Sequence, residues 1–217
     1  MTQIIPSILV QSEDEFRKCL DGLSGAVPHV QLDIADGVFV PNATWGNPDV
    51  IRKLKKITVE LHLMVANPLS ELERWKGVKT ITRALFHYES GDDLPKIIQI
   101  IQDQGWQAGL VLNPGTPIEV LTPYLNTIQA VQFMGVHPGF QGQEFLHETP
   151  GKIQNFKKLG TAHFTELDGG VNEETLPKII KSGVDAICPG SAVFGNEKSP
   201  KENVEKMKTL IENYSKV

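Results

Sequence analysis

Short apolar runs alternate with segments of helical periodicity along the whole chain. The apolar runs lie at residues 3–9, 29–33, 58–64, 84–87, 107–112, 130–136, 163–168 and 185–188. Runs of this length, bounded by turn residues, are typical of buried parallel strands. The pattern therefore predicts eight strands.

A segment with helical periodicity follows each predicted strand. These helices are predicted from residue 12 onward and at 47–55, 69–75, 92–104, 118–125, 149–159, 173–182 and 201–214. The first begins with Ser12 and Glu15, which have the spacing of a capping box. Because no linker interrupts the units and no dinucleotide-binding glycine motif follows the first strand, the pattern favours a (β/α)8 TIM barrel over an open sheet. We expect one α/β domain over residues 1–217.

Composition narrows the class of partner. The chain is 40% hydrophobic and 22% charged, and its net charge of −5 argues against nucleic-acid binding, which needs a basic face. Cys19 and Cys188 lie far apart and predict neither a zinc site nor a disulfide framework. No apolar run is long enough to span a bilayer, and residues 1–6 lack a leader-like pattern. We expect a cytoplasmic protein with a small-molecule ligand and no membrane partner.

Two predicted strands end in an aspartate, Asp33 and Asp168. The carboxyl ends of barrel strands lie at one rim, so the two carboxylates are expected to face each other. Such a pair can remove a proton from one face of a carbon and return it on the other. The alternative is that each carboxylate caps the following helix or turn.

Glycines mark the last two strand-to-helix junctions. Gly169 and Gly170 follow the seventh predicted strand, and Gly190 with Ser191 follows the eighth. Backbone N–H groups at these junctions, with a short helix beginning near Ser191, form the usual phosphate site of such barrels. The glycines could instead serve only as tight turns, but their coincidence at both junctions favours a phosphate site.

The loop after the sixth predicted strand contains Gly139, Phe140, Gln141 and Gly142. Its glycines and its lack of periodicity are typical of a mobile lid over a ligand. The alternative is an ordinary surface connection, against which the exposed-looking Phe140 argues.

His62 alternates with Glu60 and Met64, so it is expected to point into the barrel. It is either a hydrogen-bonded core histidine or, at the rim near the two aspartates, a metal ligand or electrophile.

These residues belong to seven ordered motifs through which the chain resembles the ribulose-phosphate 3-epimerase family. The motifs are Pro6-Ser-Ile-Leu9, Asp33-Ile-Ala-Asp-Gly-Val-Phe-Val-Pro-Asn42, His62-Leu-Met-Val-Ala-Asn-Pro68, Leu112-Asn-Pro-Gly-Thr-Pro117, Val136-His-Pro-Gly-Phe-Gln-Gly-Gln143, Leu167-Asp-Gly-Gly170 and Gly190-Ser-Ala-Val-Phe194. The resemblance covers nearly the whole chain. It implies a TIM barrel of the ribulose-phosphate-binding type, an isomerase of the pentose phosphate pathway that interconverts D-ribulose 5-phosphate and D-xylulose 5-phosphate.

The resemblance also implies residue roles. Asp33 and Asp168 would be the acid and base acting at carbon 3 through an enediolate. A phosphorylated ketopentose would be the partner, and a homo-oligomer is left open. The implied substrate contacts are Ser7, His62, Met64, Met134, Gly139, Phe140, Gln141, Gly142, Gly169, Gly170, Gly190 and Ser191.

The metal is where the chain departs from the family pattern. The resemblance implies a divalent ion, zinc, iron or manganese, on Asp33, His62 and Asp168, with no organic cofactor. However, Gln31 stands where the family has its first histidine ligand. Either a metal stays with Gln31 as a poor fourth ligand, or donors such as Gln31 and a protonated His62 stabilise the enediolate without one.

Single features of the sequence bear on other activities of the same barrel class. The chain could epimerise another phosphorylated ketose, such as a hexulose phosphate. A decarboxylase or aldol enzyme is disfavoured because no lysine lies in the predicted strands near Asp33 or Asp168. A phosphosugar-binding barrel without turnover is disfavoured because a binder has little use for two carboxylates that repel each other.

Overall fold

The computed structural model of the chain describes residues 2–91 and 93–214. The strand segments are β1 (Gln3–Ile4), β2 (Ser7–Ile8), β3 (His29–Ala35), β4 (Thr58–Met64), β5 (Ile81–His87), β6 (Gln107–Leu112), β7 (Ala130–Met134), β8 (Phe164–Asp168) and β9 (Ala186–Cys188). The α-helices are α1 (Glu13–Leu23), α2 (Pro48–Ile51), α3 (Pro68–Arg74), α4 (Leu94–Asp103), α5 (Thr149–Lys157), α6 (Leu176–Lys181), α7 (Ser191–Phe194) and α8 (Pro200–Tyr214). Two 3₁₀-helices cover Tyr88–Ser90 and Ile118–Tyr124.

All strands are parallel, and the first predicted strand closes them into a barrel. The order is β1-β9-β8-β7-β6-β5-β4-β3-β2. β1 pairs with β9, whereas β2 pairs with β3. Between them the Ile5 N–H donates to the Ile187 carbonyl, and the Pro6 carbonyl accepts from the Gln31 N–H, both at 3.0 Å. The segment thus joins both sheet edges, which confirms the predicted (β/α)8 barrel.

Several predicted helix boundaries were wrong in detail. The helix predicted at 118–125 is a 3₁₀-helix with Pro123 inside it, because proline lacks the N–H that an α-helix needs there. The helix predicted at 47–55 is reduced to the single turn of α2. The predicted helix start at residue 92, and the ends of the predicted domain 1–217, lie outside the described residues.

The capping box at the start of α1 is present with one change of partner. The Glu15 N–H donates to Ser12 Oγ at 3.3 Å, as predicted. The Glu15 carboxylate accepts from the N–H of Gln11 at 2.7 Å rather than from that of Ser12. The backbone N–H groups that α1 leaves unpaired are therefore partly satisfied by side chains.

The core lies between the barrel and its ring of helices. In α4, the buried residues Leu94, Ile97, Ile98 and Ile101 follow the i, i+3, i+4, i+7 pattern of a helix with one apolar face. Trp75, Phe16, Phe86, Phe133 and Phe156 are the largest fully buried aromatic side chains in the described chain. Among the described residues, no helix combines the length and apolar character that crossing a bilayer requires.

The lower part of the barrel interior is charged. Glu60, Arg83 and Glu166, here called the Arg83 cluster, are buried, and Arg83 Nη1 lies 2.8 Å from Glu60 Oε2 and also pairs with Glu166. Burial raises the pKa of Glu60 to about 7 against the opposing effect of Arg83, and it raises the pKa of Glu166 well above its usual value. A single guanidinium thus pairs with two glutamates, and burial favours the protonated form of each carboxyl group.

His29 borders this cluster and is expected to make stability depend on pH. Burial and the nearby Arg83 guanidinium lower the pKa of His29 to about 4. Because this folded pKa lies below the unfolded value, the stabilisation is complete above pH 6.5 and is lost as the pH falls through 4. Between pH 7.5 and pH 4.5, the free energy of unfolding should fall by about 2 kcal/mol more in the wild type than in His29→Gln. Urea unfolding at the two pH values measures this difference. Equal losses in the two proteins would contradict this assignment.

Candidate active site

One pocket opens at the carboxyl ends of the strands. Its cavity measures about 40 Å³. Nearly all residues predicted for the site line it: Ser7, Asp33, Met64, Met134, Gly139, Phe140, Gln141, Gly142, Asp168, Gly169, Gly170, Gly190 and Ser191. His62 does not line the pocket, because it is fully buried behind the two aspartates.

Asp33 and Asp168 face each other at the pocket floor. Asp33 lies near the end of β3, Asp168 is the last residue of β8, and both side chains are at most 8% exposed. Burial raises the pKa of Asp33, while a hydrogen bond with His62 opposes that shift. Two carboxylates this close and this dry require hydrogen-bond donors or a cation between them.

Gln31 supplies donors to both carboxylates. Its side-chain Nε2 donates to Asp33 Oδ1 and to Asp168 Oδ2, each at 2.8 Å. A primary amide has two N–H bonds, so one is directed at each aspartate. The amide oxygen points the other way and accepts from Gln132 Nε2 at 3.1 Å. All four side chains are buried, and the amide therefore bridges the pair away from bulk water.

His62 supplies the positive charge. Its Nδ1 lies 3.1 Å from Asp33 Oδ1 and 3.1 Å from Asp168 Oδ2. Burial alone would lower the pKa of His62, but hydrogen bonds with Asp168 and Asp33 raise it to about 10. The imidazole is therefore a cation at neutral pH and offsets part of the charge of the two carboxylates.

His87 fixes the other side of the His62 ring. The two Nε2 atoms are 2.9 Å apart, and His87 Nδ1 lies 2.8 Å from Asn113 Oδ1. Burial lowers the pKa of His87 to about 4, so its ring is neutral and accepts from the His62 imidazolium at Nε2. Its single proton then lies on Nδ1 and is donated to Asn113.

The sequence pattern had not indicated Gln132, and it placed His87 at the same rim only as a hydrogen-bonded histidine. Alternation in β7 places Gln132 on the same inward face as Met134, two residues later. The same rule places His87 inside the barrel with Arg83 on β5. A polar residue at an inward position of a barrel strand was therefore the available signal. The strand pattern did not indicate which residue of β3 or β4 each of them contacts.

The glycines after β8 are required by backbone shape and by space. Gly169 and Gly170 have φ values of 95° and 70°, which disfavour any residue with a side chain. A Cβ on Gly169 would lie 2.4 Å from Val136 Cγ2, and one on Gly170 would lie 2.7 Å from Phe145 Cδ2. The loop therefore presents bare backbone to the pocket, directly after Asp168.

The predicted lid lies across the pocket mouth. Gln141 Nε2 is 3.5 Å from the carbonyl oxygen of Ser7 on the opposite side of the pocket. Within the loop, Gln143 Nε2 donates to the carbonyls of His137 and Phe140 at 2.6 and 2.8 Å. The Phe140 residue is 55% exposed, so little apolar burial holds this segment down.

Asp33, His62 and Asp168 form a candidate metal site, since one ligand atom of each lies within 4.8 Å of the others. The fourth direction is taken by Gln31 Nε2, which lies 2.8 Å from both aspartate oxygens and 3.3 Å from His62 Nδ1. An amide N–H₂ group donates hydrogen bonds and is not a metal ligand. With Gln31 in this orientation, the donor set does not fit a bound metal.

Comparison with known proteins gives consistent matches. The model of the ribulose-phosphate 3 epimerase family matches residues 3–194. The ribulose-phosphate 3-epimerase of Bacillus subtilis (strain 168) is 33% identical over 204 residues, covering 90% of this chain and 93% of the relative. The cytoplasmic isoform from Oryza sativa subsp. japonica is 35% identical over 191 residues, covering 84% and 82%. The crystal structure of KGPDC from Streptococcus mutans superposes with a TM-score of 0.77 at 10% identity, covering 99% of each chain, and supports the fold alone.

Proposed function

The chain belongs to the ribulose-phosphate 3-epimerase family, and we propose that it is an isomerase interconverting D-ribulose 5-phosphate and D-xylulose 5-phosphate in pentose phosphate metabolism. The observation that carries this proposal is the facing pair of Asp33 and Asp168 on the floor of a glycine-bordered pocket. A carboxylate on each side of one carbon is what inversion at that carbon requires.

The reaction would be a proton transfer with two bases. One aspartate removes the proton from carbon 3, which the neighbouring ketone acidifies, and the electron pair becomes that of an enediolate. The other aspartate then donates its proton to the opposite face of carbon 3. The first aspartate ends protonated and the second ends as a carboxylate, so the two must exchange their protonation states before the next turnover in the same direction.

Gln31 and His62 would set the charge and orientation of the pair. When an aspartate accepts the proton, negative charge moves from its carboxylate to the enediolate oxygens. The His62 imidazolium lies 3.1 Å from an oxygen of each aspartate. Its positive charge would therefore stabilise the negative charge of the enediolate. Gln31 keeps both carboxylates aimed at one point, which preserves a geometry suited to reaction.

The remaining pocket residues would bind and enclose the substrate. We propose that backbone N–H groups at Gly169, Gly170, Gly190 and Ser191 bind the phosphate, and that Ser7, Met64 and Met134 contact the sugar. The predicted lid at residues 139–142 borders this pocket and would move aside for the substrate to enter. Its closure would then keep water away from the enediolate.

Deuterium exchange at carbon 3 tests the proposal. Ribulose 5-phosphate incubated with the enzyme in deuterated water should yield xylulose 5-phosphate, with deuterium at carbon 3. Binding without exchange would instead identify a phosphosugar-binding barrel. A ketohexose 6-phosphate run in parallel serves as the second substrate. A higher kcat/KM for that sugar would show that the pentose assignment is wrong.

We further propose a single catalytic domain over residues 1–217 and a cytoplasmic location. In support of the first, all strand segments of the described chain join one sheet. In support of the second, the relative from rice is itself named a cytoplasmic isoform.

A further inference from the structure

We propose that the Gln31 amide, held by Gln132, takes the place of a metal ion between Asp33 and Asp168, so that this enzyme works without a stoichiometric metal. The inference rests on the proposed function only in its activity readout.

The amide nitrogen of Gln31 lies where an ion would be bound. Gln31 Nε2 lies 2.8, 2.8 and 3.3 Å from the three atoms that would ligate an ion, on Asp33, Asp168 and His62. A donor at these distances performs the task of a cation for the aspartates, because each N–H satisfies one carboxylate oxygen. Hydrogen bonds to an ionised acceptor are about twice as strong as those between neutral groups.

Gln132 holds the Gln31 amide in one orientation. Gln132 Nε2 donates to Gln31 Oε1 at 3.1 Å, so the oxygen that could ligate a metal is engaged on the far side. Turning both amides together would give Gln132 Oε1 a partner, which it lacks among the described residues. It would also direct Gln31 Oε1 at two carboxylates and remove two charge-assisted bonds, while the bond between the two amides would only reverse its direction. Without a cation between the aspartates, the observed orientation is therefore favoured.

A single replacement at position 31 would create a complete set of zinc ligands. A histidine at position 31 would bring a second imidazole to a place where Asp33, His62 and Asp168 already converge. Two imidazoles and two carboxylates around one point suit a four-coordinate zinc ion. Gln31→His is thus a gain-of-binding variant, and Gln31→Leu is its control, with similar bulk and neither ligand nor donor.

Metal content and zinc affinity test the proposal independently of catalysis. Each protein is stripped with a chelator, dialysed, and titrated with Zn²⁺ against a chromophoric competitor, after its metal content as purified is measured by mass spectrometry. The wild type should hold a small fraction of one equivalent, and Gln31→Leu, which keeps only three ligands, should bind zinc more weakly than Gln31→His. Gln31→His should bind one equivalent about 100-fold more tightly, since even outer ligand partners change affinity 10- to 100-fold. Wild-type activity should survive chelation unchanged.

Gln132→Leu provides the second arm should Gln31→His not fold. It frees the Gln31 oxygen to turn towards the aspartates, so its zinc affinity should exceed that of the wild type about tenfold. Wild-type protein that holds one equivalent of zinc and loses activity with it would overturn the proposal. Exchange at carbon 3 that appears only after Zn²⁺, Fe²⁺ or Mn²⁺ is added would also overturn it. Metal-free wild-type protein that shows no exchange with or without these ions would overturn the proposed function and leave the place of the amide between the aspartates standing.

Discussion

Replacing either Asp33 or Asp168 by asparagine is expected to lower kcat/KM for epimerisation by about 10³-fold or more. Asparagine preserves the size of the side chain and can still accept a hydrogen bond from Gln31, but it cannot take up the proton from carbon 3. Coupled assays of xylulose 5-phosphate formation measure the loss. Circular dichroism and the thermal midpoint establish that the barrel is retained.

The two variants should also differ from each other. Each keeps one base, so each should exchange the carbon 3 proton of one epimer with deuterated water and leave the other epimer unlabelled. The pattern assigns each aspartate to one face of the sugar. Asp49→Asn is the matched control, because this carboxylate lies on the surface and is paired with Arg52 at 3.6 Å. Epimerisation above a tenth of the wild-type rate in either active-site variant would rule out the two-base mechanism.

Replacing Arg83 by methionine is expected to reduce the free energy of unfolding by about 3–5 kcal/mol, the range for breaking a buried ion pair from one side. Methionine fills much of the same space, but Glu60 and Glu166 are left buried without a cation. The folded pKa of Glu60, about 7 with Arg83 present, exceeds its unfolded value, and loss of Arg83 raises it further, so protonation relieves the variant at low pH. Urea unfolding should therefore show a smaller loss at pH 6 than at pH 8.

Two further proteins test the cause of that loss. Arg17→Met removes an exposed arginine paired with Glu13 at 2.6 Å, and it should cost at most about 0.5 kcal/mol. Adding Glu60→Gln to Arg83→Met removes one of the unpaired charges, and part of the lost stability should return. If the double variant is as unstable as the single one, packing around Arg83 rather than charge accounts for the effect.

Much of the barrel could be read from local pattern, because strand and helix periods depend on neighbouring residues. Asp33 and Asp168 could be anticipated because the strand ends of a barrel share one rim. The contact between Gln31 and Gln132 could not, since it joins residues 101 positions apart on strands that do not pair. This contact depends on which side chains approach each other across the barrel interior. The 3₁₀ geometry of Ile118–Tyr124 likewise depended on Pro123 and not on apolar spacing.

The split first strand has a consequence for synthesis on the ribosome. Because β1 pairs with β9, residues 3–4 can pair on that side only after residues 186–188 have been synthesised. Until then β1 and β8 are open edges of the nascent sheet, and open edges can pair with other chains. Asp33 is synthesised long before Asp168. Catalytic competence therefore arrives with closure of the ring, and a fusion that holds back residues 3–8 would delay both closure and activity.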